Sequence, residues 1–186
     1  ESIPALREAL KDKDSRVRAA AAAALGKLGD HESIPALREA LKDEELSVRN
    51  AAAEALGKLG PEAIPALREA LYLYWWDVRE AAAWALAKIG PKAVPALREA
   101  VRGEDVIVRD LAARALATLG PEAIPALREA LKDQFGGIRW TAAEALGKLG
   151  DRASIRESIS ILCEALKNQD EFVRRRAAEA LVKLGP

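Results

Sequence analysis

Methionine is missing from this 186-residue sequence, histidine and cysteine occur once each, and Phe, Tyr and Trp together make up only 4% of it. Each scarcity excludes something. The single Cys163 leaves no internal disulfide, so a reducing cytosol fits. Every His-dependent mechanism would have to share His31, which sits beside Glu32 with nothing to place it near Cys163. Cys163 has no activating neighbour either and reads as an incidental thiol. The few glycines do not form a phosphate loop. No charge of one sign dominates, since 29 basic residues balance 29 acidic ones, and a dedicated nucleic-acid binder normally carries a basic excess. No apolar run is long enough to span a membrane, and no signal peptide is present, so a cytoplasmic location is expected. No enzyme activity, cofactor or metal is expected.

What the sequence has in quantity is Ala and Leu. They dominate the apolar half of the composition, and such a core suits closely packed helices, whereas sheets favour β-branched and aromatic residues. The string ALREAL occurs at Ala5–Leu10, Ala36–Leu41, Ala66–Leu71 and Ala126–Leu131, with variants ALREAV at Ala96–Val101 and ILCEAL at Ile161–Leu166. Each copy is followed by Val-Arg or Ile-Arg, a few alanines, and Ala-Leu-x-x-(Leu/Ile)-Gly. The arginines of that second element are Arg18, Arg49, Arg79, Arg109, Arg139 and Arg174, spaced by 31, 30, 30, 30 and 35 residues. A period near 30 means stacked supersecondary units. The repeats run over about 1–29, 30–60, 61–90, 91–120, 121–150 and 151–186 as a single domain. The extra residues near Asp30–Ser33 and within Asp151–Ser160 fall between units, where loops or helix starts absorb them.

Each unit reads as two helices, taking Pro61–Gly90 as the specimen. Pro61 and Pro65 suit a first helical turn, where missing N–H groups cost little. Ile64, Leu67 and Leu71 form one apolar stripe, and Val78, Ala82, Ala85, Leu86 and Ile89 form a second. Gly90-Pro91 is a stop and restart. Six units predict twelve helices. One amphipathic pair cannot bury its own stripes, so neighbours must stack. The last unit looks capped by Arg174, Arg175 and Arg176, whereas the first, almost all alanine from Ala19 to Ala24, does not, leaving self-association open there.

The pattern IPALREAL…D…VR…AA.ALG.LG resembles the short HEAT-like repeats of phycobilisome lyase subunits, and is similar to artificial alpha-Rep binders built on such repeats. The resemblance covers the whole chain. It implies an all-α, right-handed superhelix with first helices on the convex side and second helices lining the concave side. Some HEAT-like enzymes hold two irons with several His-Glu pairs, which His31 and Glu32 alone cannot supply.

Comparison among the repeats locates a candidate surface. Counting from the Val of Val-Arg as zero, columns −2, −1, +2, +3 and +6 vary freely. At 100° per residue the core positions 0, +4, +7, +8 and +11 cluster, with −1, +2 and +6 opposite. In repeat three the variable columns hold Trp76, Asp77, Glu80 and Trp84; in repeat four Val106, Ile107, Asp110, Leu111 and Arg114; in repeat five Gly136, Gly137, Trp140, Thr141 and Glu144. Two readings stand: an apolar interface on the concave face of repeats three to five, or filling of crevices in the superhelix. Tyr74, Trp75 and Phe135 join the set, because Trp75 and Phe135 occupy the N-cap position held elsewhere by Asp14 and Asp105. That turn is either a functional departure or merely rebuilt. Beside the acidic Asp14, Asp105 and Asp170, the repeated arginines predict an inter-repeat ladder of Arg–carboxylate bonds rather than a phosphate site.

The residues point to a non-enzymatic, protein-binding scaffold, engineered or consensus-derived, that takes neither nucleic acid nor membrane. A natural HEAT module excised from a longer protein is the alternative. A protein that handles a linear tetrapyrrole, as the resemblance to the lyases implies, ranks below both.

Overall fold

The structure, a computed structural model, describes residues 2–151, 153–167, 169 and 171–184; the side chains of Ile155, Phe172, Val173, Arg176, Lys183 and Leu184 lie outside that description, as does Asp170 entirely. Among the described residues every regular element is helical. The α-helices are α1 (Ser2–Ala9), α2 (Ser15–Leu28), α3 (Ile34–Ala40), α4 (Leu46–Leu59), α5 (Ile64–Ala70), α6 (Trp76–Ile89), α7 (Val94–Val101), α8 (Val106–Leu116), α9 (Ile124–Ala130), α10 (Gly136–Lys148), α11 (Ile155–Ala165) and α12 (Glu171–Leu184). The all-α stack of two-helix repeats expected from the period is the fold adopted.

Local chemistry sets the helix ends. A short 3₁₀ turn leads into each of α3, α5, α7 and α9, and Pro stands in the first turn of α3, α5 and α9, where an absent N–H leaves no bond unmade. Asp14 and Asp105 start α2 and α8 by accepting from the backbone N–H groups of Arg16, and of Ile107 and Val108. Gly29 stops α2 with φ of 70°, a left-handed conformation that a Cβ would penalise.

The chain divides into two compact units, Glu1–Ala96 and Leu97–Pro186. In the first, α1–α2, α3–α4 and α5–α6 pair, and α2, α4 and α6 pack in succession. Leu37, Leu41, Val48, Leu56, Leu67, Leu71, Val78 and Leu86 are fully buried between them. A glycine facing an alanine allows close approach: a Cβ on Gly26 of α2 would lie 2.6 Å from Ala55 Cα on α4. In the second unit α8–α9, α9–α10 and α11–α12 pack, and α10 lies against both α11 and α12. Val108, Leu116, Leu127, Ile138 and Leu162 are its fully buried centre. The insertion in Asp151–Ser160 resolves as extra helix: α11 has 11 residues where α3, α5 and α9 have 7, so more of it lies against α10.

Candidate functional site

Two arginine series hold consecutive repeats together. In the second helices, Arg18 Nε and Nη2 donate to the two oxygens of Asp43, both at 2.8 Å. Arg49 Nε donates to Asp77 at 2.7 Å, and Arg109 Nε to Asp133 at 2.6 Å. The opposite edge of each guanidinium pins its own turn. Arg18 Nη1 reaches the carbonyl of Asp12, Arg49 Nη1 those of Asp43 and Glu44, and Arg109 Nη1 that of Glu104, at 2.7–2.8 Å. Arg79, Arg139 and Arg174 hold their turns likewise, through the carbonyls of Leu73, of Asp133 and Gln134, and of Gln169.

This corrects the expected acids. Asp14 pairs with Arg16 and caps its own helix rather than reaching another repeat, and Asp105 caps α8, because an N-cap side chain turns toward its own first N–H groups. Asp170 lies outside the described residues. For Arg18 and Arg109 the ladder acids are Asp43 and Asp133, five residues before the Val or Ile of the next repeat, and each also accepts from the N–H two residues on. In repeat three that register holds Leu73, and Asp77 supplies the carboxylate instead. Asp77 is therefore a framework residue, against its expected role in partner contact.

The first helices carry a second series that the repeat pattern did not reveal. Arg7 donates to Asp30 and Ser33, and Arg128 to Asp151 and Ser154, with near-identical distances. Both irregular linkers thus supply an Asp and a Ser three residues apart, a spacing visible in the sequence had the linkers been compared with each other. Arg128 holds the Asp151 carboxyl below the usual range, and Arg7 does the same for Asp30. Where the linker lacks the pair, the arginine turns to a Glu on the next first helix. Arg98 and Arg102 converge on Glu129, and hydrogen bonds from both, led by Arg102, pull its pKa down to about 2.

With the arginines committed to the framework, the variable columns stand apart. In the first unit the aromatic residues are exposed: Tyr74 is 88%, Trp76 51% and Trp84 42% accessible. Tyr74 and Trp75 meet edge to face with ring centroids 5.4 Å apart, and Arg49 lies over the Trp75 ring at 4.7 Å. Trp75 makes no side-chain cap bond, so its ring has replaced a cap with a cation–π contact. Trp84 lines a cavity of about 200 Å³ between α4 and α6, with Asn50, Glu54 and Lys88 at its rim. Glu80 is exposed. Leu46, exposed in the column of Trp76, belongs to the same class of free-face residue and was legible there.

In the second unit Val106, Ile107 and Phe135 are exposed, Arg114 pairs with Asp110 at 2.9 Å, and Trp140 and Thr141 are half-buried. Two residues expected at the surface are not there. Leu111 is core, because column +3 lies only 40° from the buried +7 position on a helical projection. Glu144 is buried on the helix that α11 and α12 both cover, its carboxylate held by Lys148 at 2.7 Å.

Exposed His31 lies 3.8 Å from Glu62, and Cys163 is an exposed free thiol. Among the described residues no group of three or more His, Cys, Asp and Glu side chains could hold a metal, and no helix is long and apolar enough to cross a membrane.

Repeated helix pairs, laddered by arginine and presenting variable second-helix faces, define a repeat protein of the α-solenoid class. Residues 1–57, 42–117 and 94–182 match the HEAT repeats family, and the chain belongs to it. Among solved structures, the complex of CpcE and CpcF of phycocyanin lyase from Nostoc sp. PCC7120 is 29% identical with a TM-score of 0.52, over 97% of this chain and 76% of that one. An engineered protein is 26% identical with a TM-score of 0.52, over 100% and 99% of the two chains. A designed armadillo repeat protein in complex with the peptide (KR)4 shares the fold at 17% identity, with a TM-score of 0.53 over the full length of both chains. No curated protein matches the sequence.

Proposed function

We propose that this chain is a non-enzymatic scaffold that binds a partner protein through the free faces of the second helices of repeats three to five. The carrying observation is where the aromatics lie. Five of the eight fall between Tyr72 and Trp84, and all five are exposed in a protein whose core is Ala and Leu. Solvent-exposed Trp and Tyr on a rigid frame are favoured anchors at interfaces, since each buries a large area for little rotamer entropy. Tyr74, Trp76 and Trp84 are the anchors in repeat three. Val106, Ile107 and Arg114 in repeat four, and Phe135 and Trp140 in repeat five, extend the recognition set. The contrast between a repeated framework and freely varied columns also supports a consensus-derived or engineered origin, which the likeness to an engineered protein favours. A reducing cytosol suits the lone exposed thiol.

The test is capture by the immobilised chain, identification of the retained protein, and titration of that purified partner. Trp76→Ala with Trp84→Ala should weaken binding at least a hundredfold, by the usual cost of two truncated anchors, while the circular dichroism spectrum stays unchanged. Equal affinity of parent and variant would reject this surface.

The likeness to phycocyanin lyase favours a second reading, a linear tetrapyrrole stacked on the same indoles. Mixing with a bilin then shifts its absorbance in the parent but not in the double variant. No shift in the parent disposes of that reading alone.

A further inference from the structure

We propose that the cleft between α10 and α11 is a binding site for a small aromatic carboxylate. It goes beyond the partner-binding reading and requires no partner for its test. The cleft is a cavity of about 330 Å³, lined on its apolar side by Phe135, Trp140, Ile161 and Ala165. That is the lower end of the size range of ligand pockets, and apolar walls with a few polar groups are their usual composition.

The cavity exists because repeat five departs from its siblings. Where α4, α6 and α8 begin with Leu46-Ser47, Trp76-Asp77 and Val106-Ile107, α10 begins with Gly136-Gly137. A Cβ on Gly137 would lie 3.0 Å from Cε1 of Phe135, so the ring occupies the room that a side chain needs. Two glycines disfavour helix initiation, and Phe135 makes no cap bond in return. The local sequence has accepted both costs and kept an aromatic-walled opening.

The polar end is Arg139. In Arg18, Arg49 and Arg109 the Nε edge lies 2.6–2.8 Å from a carboxylate of the next repeat. Among the described residues, the carboxylate facing Arg139 Nη2 is that of Glu164, 3.8 Å away and 71% exposed. Meanwhile Arg139 Nη1 is fixed by the carbonyls of Asp133 and Gln134, both at 3.0 Å. The guanidinium is thus oriented by one edge, and among the described residues the carboxylate nearest its other edge is that of Glu164, farther off than those of Arg18, Arg49 and Arg109.

These features select the ligand. One or two fused aromatic rings fill the apolar side, and a carboxylate on the ring takes the Nε–Nη2 edge as Asp43 takes that of Arg18. A cation is repelled by Arg139, and an inorganic anion leaves the apolar walls unused. Glu164 competes for the same edge and must swing outward, which its exposure permits.

Isothermal titration with 2-naphthoate at low salt tests the site. The parent chain should bind one equivalent saturably. Arg139→Gln should weaken binding at least tenfold, as for loss of a charge-assisted hydrogen bond, and Glu164→Gln should tighten it by removing the competitor. The neutral analogue 2-naphthalenemethanol should bind more weakly and respond to neither change. Gly137→Val should fill the opening and abolish binding, while Trp84→Ala in the other unit should leave it intact. Absence of saturable binding by the parent overturns the proposal, as does equal binding by Arg139→Gln, or loss on Trp84→Ala. Should a destabilised Arg139→Gln obscure its own result, Glu164→Gln decides, since only this site predicts a gain.

Discussion

Arg109 shows what a ladder arginine does at the scale of one residue. Its side chain and that of Asp133 are 9% and 6% exposed, and it also holds the carbonyl of Glu104. Arg109→Ala strands a buried carboxylate and frees a turn at once, and is expected to cost about 3 kcal/mol, read by urea denaturation. Arg109→Lys should recover only part of this, because a single ammonium cannot serve the carboxylate and the turn together. Glu129 carries the clearest pH signature. Folding lowers its pKa from 4.5 to about 2, so its contribution is complete above pH 4.5 and is lost as pH falls toward 2. Stability measured from pH 6 down to 2 should drop across that window, and Glu129→Gln should flatten the drop. A residual slope remains from Asp43, Asp30 and Asp151, whose carboxyls are also held low by Arg18, Arg7 and Arg128.

Between helices, the spacing of α2 and α4 depends on a missing side chain. Gly26→Ala should raise the helix propensity of α2 by about 1 kcal/mol. The new Cβ would nevertheless stand 2.6 Å from the Ala55 backbone, and backbone cannot rotate away. Overpacking costs about 1–3 kcal/mol, so the variant should be less stable than its parent in thermal unfolding, against the trend for Gly→Ala in an exposed helix. At Gly57 the neighbour is the Ala85 Cβ at 3.2 Å, a looser fit between α4 and α6. The smaller loss expected there is an internal control for the packing explanation.

For the molecule as a whole, stability should be distributed rather than centred. Repeats contact their neighbours, so a lesion propagates mainly to adjoining helices. Hydrogen exchange of Arg109→Ala should therefore quicken in α8, α9 and α10 and leave α2 and α4 near parental protection. Uniform acceleration along the chain would mean that it unfolds as one cooperative body.

The sequence by itself determined the fold class and the two-helix make-up of the repeats, because period, apolar stripes and Gly-Pro punctuation are local signals that the copies restate. It also marked Trp76 and Trp84 as free-face residues, since the helical projection leaves them no neighbour within the repeat. Only the tertiary structure decided which carboxylate each arginine takes. That choice depends on how far the next repeat's turn reaches back, so Asp43, Asp77 and Asp133 take Arg18, Arg49 and Arg109, while Asp14 caps its own helix. It decided as well that Leu111 and Glu144 are buried: one lies at the shoulder of the core stripe, and the other is on α10, against which the lengthened α11 packs. Periodicity specifies the face a side chain points from, and packing between repeats specifies what it meets.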